Sequence, residues 1–183
     1  MILENENIKI ECLTEHGGKL SSLFDKNNNF ELLFQNPKGE YSRAECGSDF
    51  AQAEACGFDD AFPSLGKESL SYDGKVLDFV DHGEIWSSIM SIIASDDNSI
   101  TLSYDSKIHP YHYEKCIILR DKGINCSYKI TNTGAFDFPC FYTFHALVNC
   151  DSETSLIMPK KTNEILMVSD NSRFNKNPTS YPL

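Results

Sequence analysis

The stretch Tyr113-Glu114-Lys115-Cys116-Ile117-Ile118-Leu119, followed by Asp121-Lys122-Gly123 and then Ile124-Asn125-Cys126-Ser127-Tyr128-Lys129-Ile130, decides the fold class. In its second half Ile124, Cys126, Tyr128 and Ile130 alternate with Asn125, Ser127 and Lys129. That period of two belongs to a strand with one buried face. Asp121-Lys122-Gly123 is the best hairpin signal in the chain, because Asp and Gly tolerate the backbone that a tight turn between antiparallel strands demands.

The same alternation recurs on either side. Ile8, Ile10 and Cys12 alternate with Lys9 and Glu11, and Ile100, Leu102 and Tyr104 with Thr101 and Ser103. Further strands are expected over Leu20–Phe24, Phe30–Phe34, Ile89–Ala94, Tyr113–Leu119, Phe138–Phe144, Ser155–Met158 and Ile165–Val168. Gly17-Gly18 and Asp96-Asp97-Asn98 supply turns between them. Many short strands at close spacing predict an all-β protein, an antiparallel β-sandwich or barrel. A short helix is expected within Ser48–Ala55. Residues Asn36–Gly83 hold six glycines and Pro37 and Pro63, and read as a long loop region. Ser169 to Leu183 reads as a polar, loop-like end.

The chain has 183 residues and a formal net charge of −11. One domain spanning 1–183 is expected at this length. The acidic balance argues against nucleic acid and anionic membranes, since phosphate binding needs a cationic footprint and the basic residues are scattered. A neutral small molecule or a protein remains as partner. No apolar run is long enough for a spanning helix, and Met1–Asn7, with Glu4 and Glu6, is unlike a secretory signal. The expectation is a cytoplasmic protein whose seven cysteines are reduced and mostly small core hydrophobes.

The candidate chemistry lies in a few places. His145 sits in an aromatic run, Phe141-Tyr142-Thr143-Phe144-His145, where burial disfavours its charged form. It is either a hydrogen-bonded core histidine or a proton shuttle. His82 lies between Asp81 and Glu84, which favour a protonated ring unless the segment is a plain polar turn. Trp86 offers an indole face for a sugar ring or a core side chain. Asp59 and Asp60 are adjacent carboxylates that suit sugar hydroxyls or a solvated loop. His109-x-x-His112 has no further metal ligands nearby. His82-x-Glu84 lacks the later P-C-x-x-C of a zinc deaminase, since Pro139-Cys140 is followed by Phe141-Tyr142-Thr143. No phosphate-binding glycine loop and no G-x-S-x-G elbow is present.

Taken in order, these segments resemble the aldose 1-epimerase (galactose mutarotase-like) family. Gly57-Phe58-Asp59-Asp60-Ala61-Phe62-Pro63 resembles its GWDECFP stretch, and Asp81-His82-Gly83-Glu84-Ile85-Trp86-Ser87 its DHGELWS block. Tyr128-Lys129-Ile130-Thr131-Asn132-Thr133-Gly134 is similar to its Y-x-V-x-N-x-G, which leads into a histidine-bearing aromatic strand, here that of His145. Gly17-Gly18-Lys19-Leu20-Ser21-Ser22-Leu23 looks like the family's opening strand.

The resemblance implies an antiparallel supersandwich, incomplete here for want of the family's C-terminal third. It implies a monosaccharide in a cleft on one sheet face and interconversion of the α and β anomers of a free aldose, with no cofactor and no metal. His145 matches the histidine that protonates the ring oxygen. His82 matches the one that bonds near the anomeric or ring oxygen. Arg43, Asp59, Asp60, Glu84 and Trp86 are the expected substrate-binding residues. Glu153 and Glu164 come too early for the family's glutamate base, and Ala146 stands where the family has proline. The expected outcomes are an epimerase, possible only if a base is found, or a non-catalytic sugar-binding or protein-interaction β-sandwich. A homodimer through exposed sheet edges is expected in either case.

Overall fold

The computed structural model describes residues 1–53, 55–166 and 178–180. Two compact units result, Met1–Asn149 and Cys150–Leu183.

In the first unit, alternating sequence becomes antiparallel strand almost throughout. One sheet runs in the order β1 (Ile2–Glu4), β2 (Ile8–Leu13), β3 (Lys19–Asp25), β5 (Phe58–Ala61), β12 (Thr143–Ala146), with β4 (Phe30–Glu31) paired to β3. The second sheet runs β11 (Gly123–Asn132), β10 (Tyr111–Arg120), β9 (Ser99–Asp105), β8 (Ser91–Ser95). β6 (Glu68–Tyr72) and β7 (Lys75–Phe79) form a separate hairpin. The all-β antiparallel expectation holds.

The hairpin read from Asp121-Lys122-Gly123 joins β10 to β11, with Arg120 opposite Gly123. Ile8, Ile10 and Cys12 of β2 and Ile100 and Leu102 of β9 point into the core, as their spacing predicts. Ile124, Cys126 and Tyr128 are only half-buried, because β11 is an edge strand. Phe58, Phe62, Tyr111, Tyr113 and Ile117 complete the centre of the core.

Several expectations are corrected. The glycine-rich segment 36–83 is not one long loop. It supplies β5, whose four residues are all buried in the first sheet, and the β6–β7 hairpin. The strand expected over Phe138–Phe144 starts only at Thr143, and Ser155–Met158 forms no strand. Phe30–Phe34 contributes two strand residues, and Leu33 then bridges to Val148. Of the cysteines, Cys12 and Cys56 are buried, but Cys46, Cys140 and Cys150 are exposed on irregular segments. The helix expected within 48–55 is a 3₁₀ turn, Phe50–Gln52.

In the second unit Glu164–Ile165 (β13) pairs with Thr179–Ser180 (β14). Residues 167 and 168 of the expected strand, and most of the polar stretch 169–183, lie outside the described residues.

The two sheets are tied by a charge pair in the core. β10 buries every second residue, and the third in that series is Lys115. Its Nζ donates to Asp60 Oδ2 at 2.7 Å and to the Gly18 carbonyl at 2.9 Å, with both side chains at 0 % exposure. Tyr142 donates to the other oxygen, Asp60 Oδ1, at 2.8 Å. Burial acts to lower the Lys115 pKa, but the Asp60 carboxylate outweighs it and holds the ammonium above its ordinary range. Removing one partner of such a pair strands a buried charge, so Lys115→Ala is expected to cost about 3–5 kcal/mol. Urea unfolding measures this, and the double variant Lys115→Met with Asp60→Leu should recover most of the loss.

Candidate functional site

Period two also decides what lies on the other face of the first sheet. Phe58 and Asp60 of β5 point into the sandwich, so Asp59 points away from it. β12 pairs with β5 in a register that sets His145 opposite Asp59. On the other side of β5, Leu20 pairs with Phe58, which sets Lys19 beside Asp59. Lys19 Nζ lies 2.8 Å from Asp59 Oδ2 and donates to the Cys56 carbonyl at 2.8 Å. Both side chains are buried.

The second histidine arrives on a turn held against the end of β5. Phe62 and Gly83 form a parallel bridge. Gly83 has φ +69°, and a Cβ there would fall 2.1 Å from the Phe62 carbonyl oxygen, so only glycine permits the approach. His82, just before it, has φ +54°. Asp81 organises the surroundings. Its Oδ1 lies 3.1 Å from His82 Nδ1, its Oδ2 accepts the Phe50 N–H at 2.8 Å, and its carbonyl accepts the Trp86 indole N–H at 3.1 Å.

These constraints bring His82 and His145, far apart in sequence, to ring centroids 5.1 Å apart at 83°. Phe50 closes the apolar side of the pair. It stacks on His82 at 4.1 Å and meets His145 edge-on at 4.9 Å. The turn carrying it is capped by Asp49, whose side chain accepts from Ala51 and Gln52. Burial, followed by the charges of His82 and Lys19, lowers the His145 pKa below its ordinary value. Burial pushes Asp59 up to about 6 against the pull of Lys19.

The other expected residues fall elsewhere. Asp60 faces the core and is consumed by Lys115 and Tyr142. Glu84 is buried and accepts from Tyr104, Ser106, Tyr111 and the Lys107 N–H, so its oxygens are saturated by the fold. Trp86 is 6 % exposed and packs edge-on to Phe50, 5.1 Å away, which leaves no open indole face. Arg43 is exposed and lines a surface hollow of about 500 Å³ with Lys38, Ser48, Asp49 and Gln52. His109 Nε2 donates to the Asp78 carbonyl at 3.1 Å, and His112 pairs with Asp105. Among the described residues no group of three or more His, Cys, Asp or Glu is arranged to hold a metal. Lys19 and Lys115 were not anticipated. The parity of β10, which puts residue 115 in series with Tyr113 and Ile117, is the signal that could have found the second.

With the geometry in hand, the fold can be assigned. No family model and no curated protein matches the chain. Solved structures do. A galactose mutarotase-like protein from Lactobacillus casei ATCC 334 is 22 % identical, with a TM-score of 0.56 over 72 % of this chain and 44 % of its own. A Synechocystis sp. PCC 6803 protein is 17 % identical, with a TM-score of 0.69 over 91 % and 60 %. A putative aldose 1-epimerase from Escherichia coli K12 is 16 % identical, with a TM-score of 0.57 over 73 % and 46 %. The chain has the antiparallel fold of the galactose mutarotase-like proteins, as the sequence resemblance implied. It spans about half the length of these structures. Among the described residues no helix is long and apolar enough to cross a membrane.

The raised Asp59 pKa sets a pH dependence of stability. Between its ordinary value of 3.8 and about 6, the folded state binds a proton that the unfolded state has released. Stability therefore falls as pH rises through that window, by on the order of 2–3 kcal/mol for this group, and is flat above it. The difference between the wild type and Asp59→Asn in urea unfolding from pH 4 to 7 should display this slope. A constant difference would contradict it.

Proposed function

We propose that the face carrying His82 and His145 binds a monosaccharide and interconverts the anomers of a free aldose. The observation that carries this reading is the approach of the two histidine rings, 5.1 Å apart, on a fold shared with mutarotase-like structures. Opening a pyranose ring needs one proton taken from the anomeric hydroxyl and one given to the ring oxygen. Rotation about C1–C2 and reclosure then inverts the anomeric centre. His145 is proposed to serve the ring oxygen. Its lowered pKa makes the protonated form the minor one at neutral pH but the stronger acid. His82, held by Asp81 through Nδ1, bonds at the anomeric oxygen and is proposed to take its proton on Nε2, returning it on reclosure, so that one histidine accepts a proton while the other gives one. Arg43 reaches sugar hydroxyls from the hollow beside the Phe50 turn. Asp60, Glu84 and Trp86 support the site from within the fold rather than through contact with sugar.

Neither a cofactor nor a metal enters this scheme. A free-sugar substrate supports a cytoplasmic setting. Anomer exchange followed by NMR on glucose and galactose tests the activity. A rate above buffer that falls at least about 100-fold in His145→Ala, the usual scale for an acid–base group, is expected. Buffer-level exchange in the wild type overturns it.

A protein-interaction module is the second reading. It is favoured by an apolar cavity of about 380 Å³ that opens between β11 and β12 and is lined by Leu23, Phe58, Ile124, Tyr128, Phe144 and Val148. Phe144 and Ile130 are exposed on these edge strands. Unpaired strand edges with apolar side chains favour pairing with a second copy. Sedimentation velocity at micromolar concentration is expected to give a dimer, and a clean monomer would count against it.

A further inference from the structure

Three neighbouring strands carry a row of ionisable groups across one face of the first sheet: Lys19 on β3, Asp59 on β5 and His145 on β12. Lys19 engages Asp59 Oδ2 at 2.8 Å. The remaining Asp59 oxygen, Oδ1, and the His145 nitrogen Nδ1 are both buried, and neither has a hydrogen-bond partner. Directly opposed residues of an antiparallel pair hold their Cβ atoms about 4.5–5.5 Å apart. An acceptor and a ring nitrogen thus belong to directly opposed residues a single ladder step apart, and neither is satisfied.

We infer that Asp59 is the positioning residue of His145: Oδ1 accepts the Nδ1–H of the imidazole while Lys19 holds Oδ2. A side-chain rotation closes the contact, with no change of strand register. The bond selects one tautomer, with the proton on Nδ1 and the lone pair on Nε2. Nε2 is then the nitrogen that exchanges protons with a ligand, and this last role rests on the mutarotase reading above. At 1 % exposure Asp59 is too enclosed to touch a sugar itself.

The charges around the ring give the inference a measurable sign. His82 faces His145 from the turn before the second 3₁₀ segment, with Asp81 behind it, and Lys19 faces it from β3. Lys19 and protonated His82 oppose a proton on His145. The inferred contact adds Asp59 as a carboxylate that favours one, while burial favours a proton on Asp59. Replacing Asp59 by asparagine removes the favourable charge, and the His145 pKa should fall by about one unit or more.

Long-range proton–nitrogen NMR correlations on uniformly labelled protein, from pH 5 to 8, read both quantities. The wild type should have neutral His145 as the Nδ1–H tautomer. Asp59→Asn should lower its pKa and mix the tautomers, and Asp59→Glu should restore much of the wild-type behaviour. An Nε2–H tautomer in the wild type overturns the inference, as does an unchanged His145 pKa in folded Asp59→Asn. If that variant does not fold, the wild-type tautomer alone decides. An Nδ1–H tautomer without any anomer exchange supports the contact while sinking the enzymatic reading.

Discussion

The buried Lys115–Asp60 pair is the interaction on which the rest of the first unit depends. It joins β10 of one sheet to β5 of the other, and Lys115 also binds the carbonyl of Gly18 at the entry to β3. Taking two charges out of water is costly unless each is paired and its remaining hydrogen-bonding capacity is used. Here the pair is direct, Tyr142 satisfies the second carboxylate oxygen, and Lys115 lies over the Phe58 ring at 4.6 Å. An ion pair of this kind tolerates few alternative arrangements. A slip of β5 by one residue would exchange Asp60 for an apolar neighbour or for Asp59 and leave Lys115 unpaired.

That same register creates the candidate site. With Asp60 committed to the interior, strand pleating sends Asp59 to the opposite face, where β3 adds Lys19 and β12 adds His145. Adjacent carboxylates of identical chemistry therefore do different work. One ties the sheets together, and the other stands next to the histidine. His82 depends on a different device, the close approach of Gly83 to Phe62, which only a residue without Cβ allows. Asp81 then couples His82, Trp86 and the Phe50 turn through three hydrogen-bonding contacts. The histidine pair is thus fixed by a strand on one side and a glycine turn on the other.

The polar groups expected to meet a ligand separate along these lines. Glu84 is adjacent to the histidine block in sequence, yet its carboxylate is turned inward to four donors from the β9–β10 region. Sequence proximity to His82 did not predict access, because the 3₁₀ turn at Ile85–Ser87 is buried. Lys19 shows the converse. It opens an otherwise ordinary strand, and nothing local distinguishes it from other lysines. Its importance comes from pairing across to β5.

Composition and period-two patterning by themselves determined the all-β class, the hairpin at Asp121-Lys122-Gly123 and the core faces of β2 and β9. Those features are local, since strand alternation and turn chemistry are written within a few residues of one another. Only the tertiary structure decided that the glycine-rich segment contains β5, which of two neighbouring aspartates enters the core, and that Lys19, Asp59 and His145 form one row. The physical reason is that sheet register and strand order are set by pairings between residues tens of positions apart, and burial turns a carboxylate into a structural tie or a partner for histidine according to what those pairings place beside it.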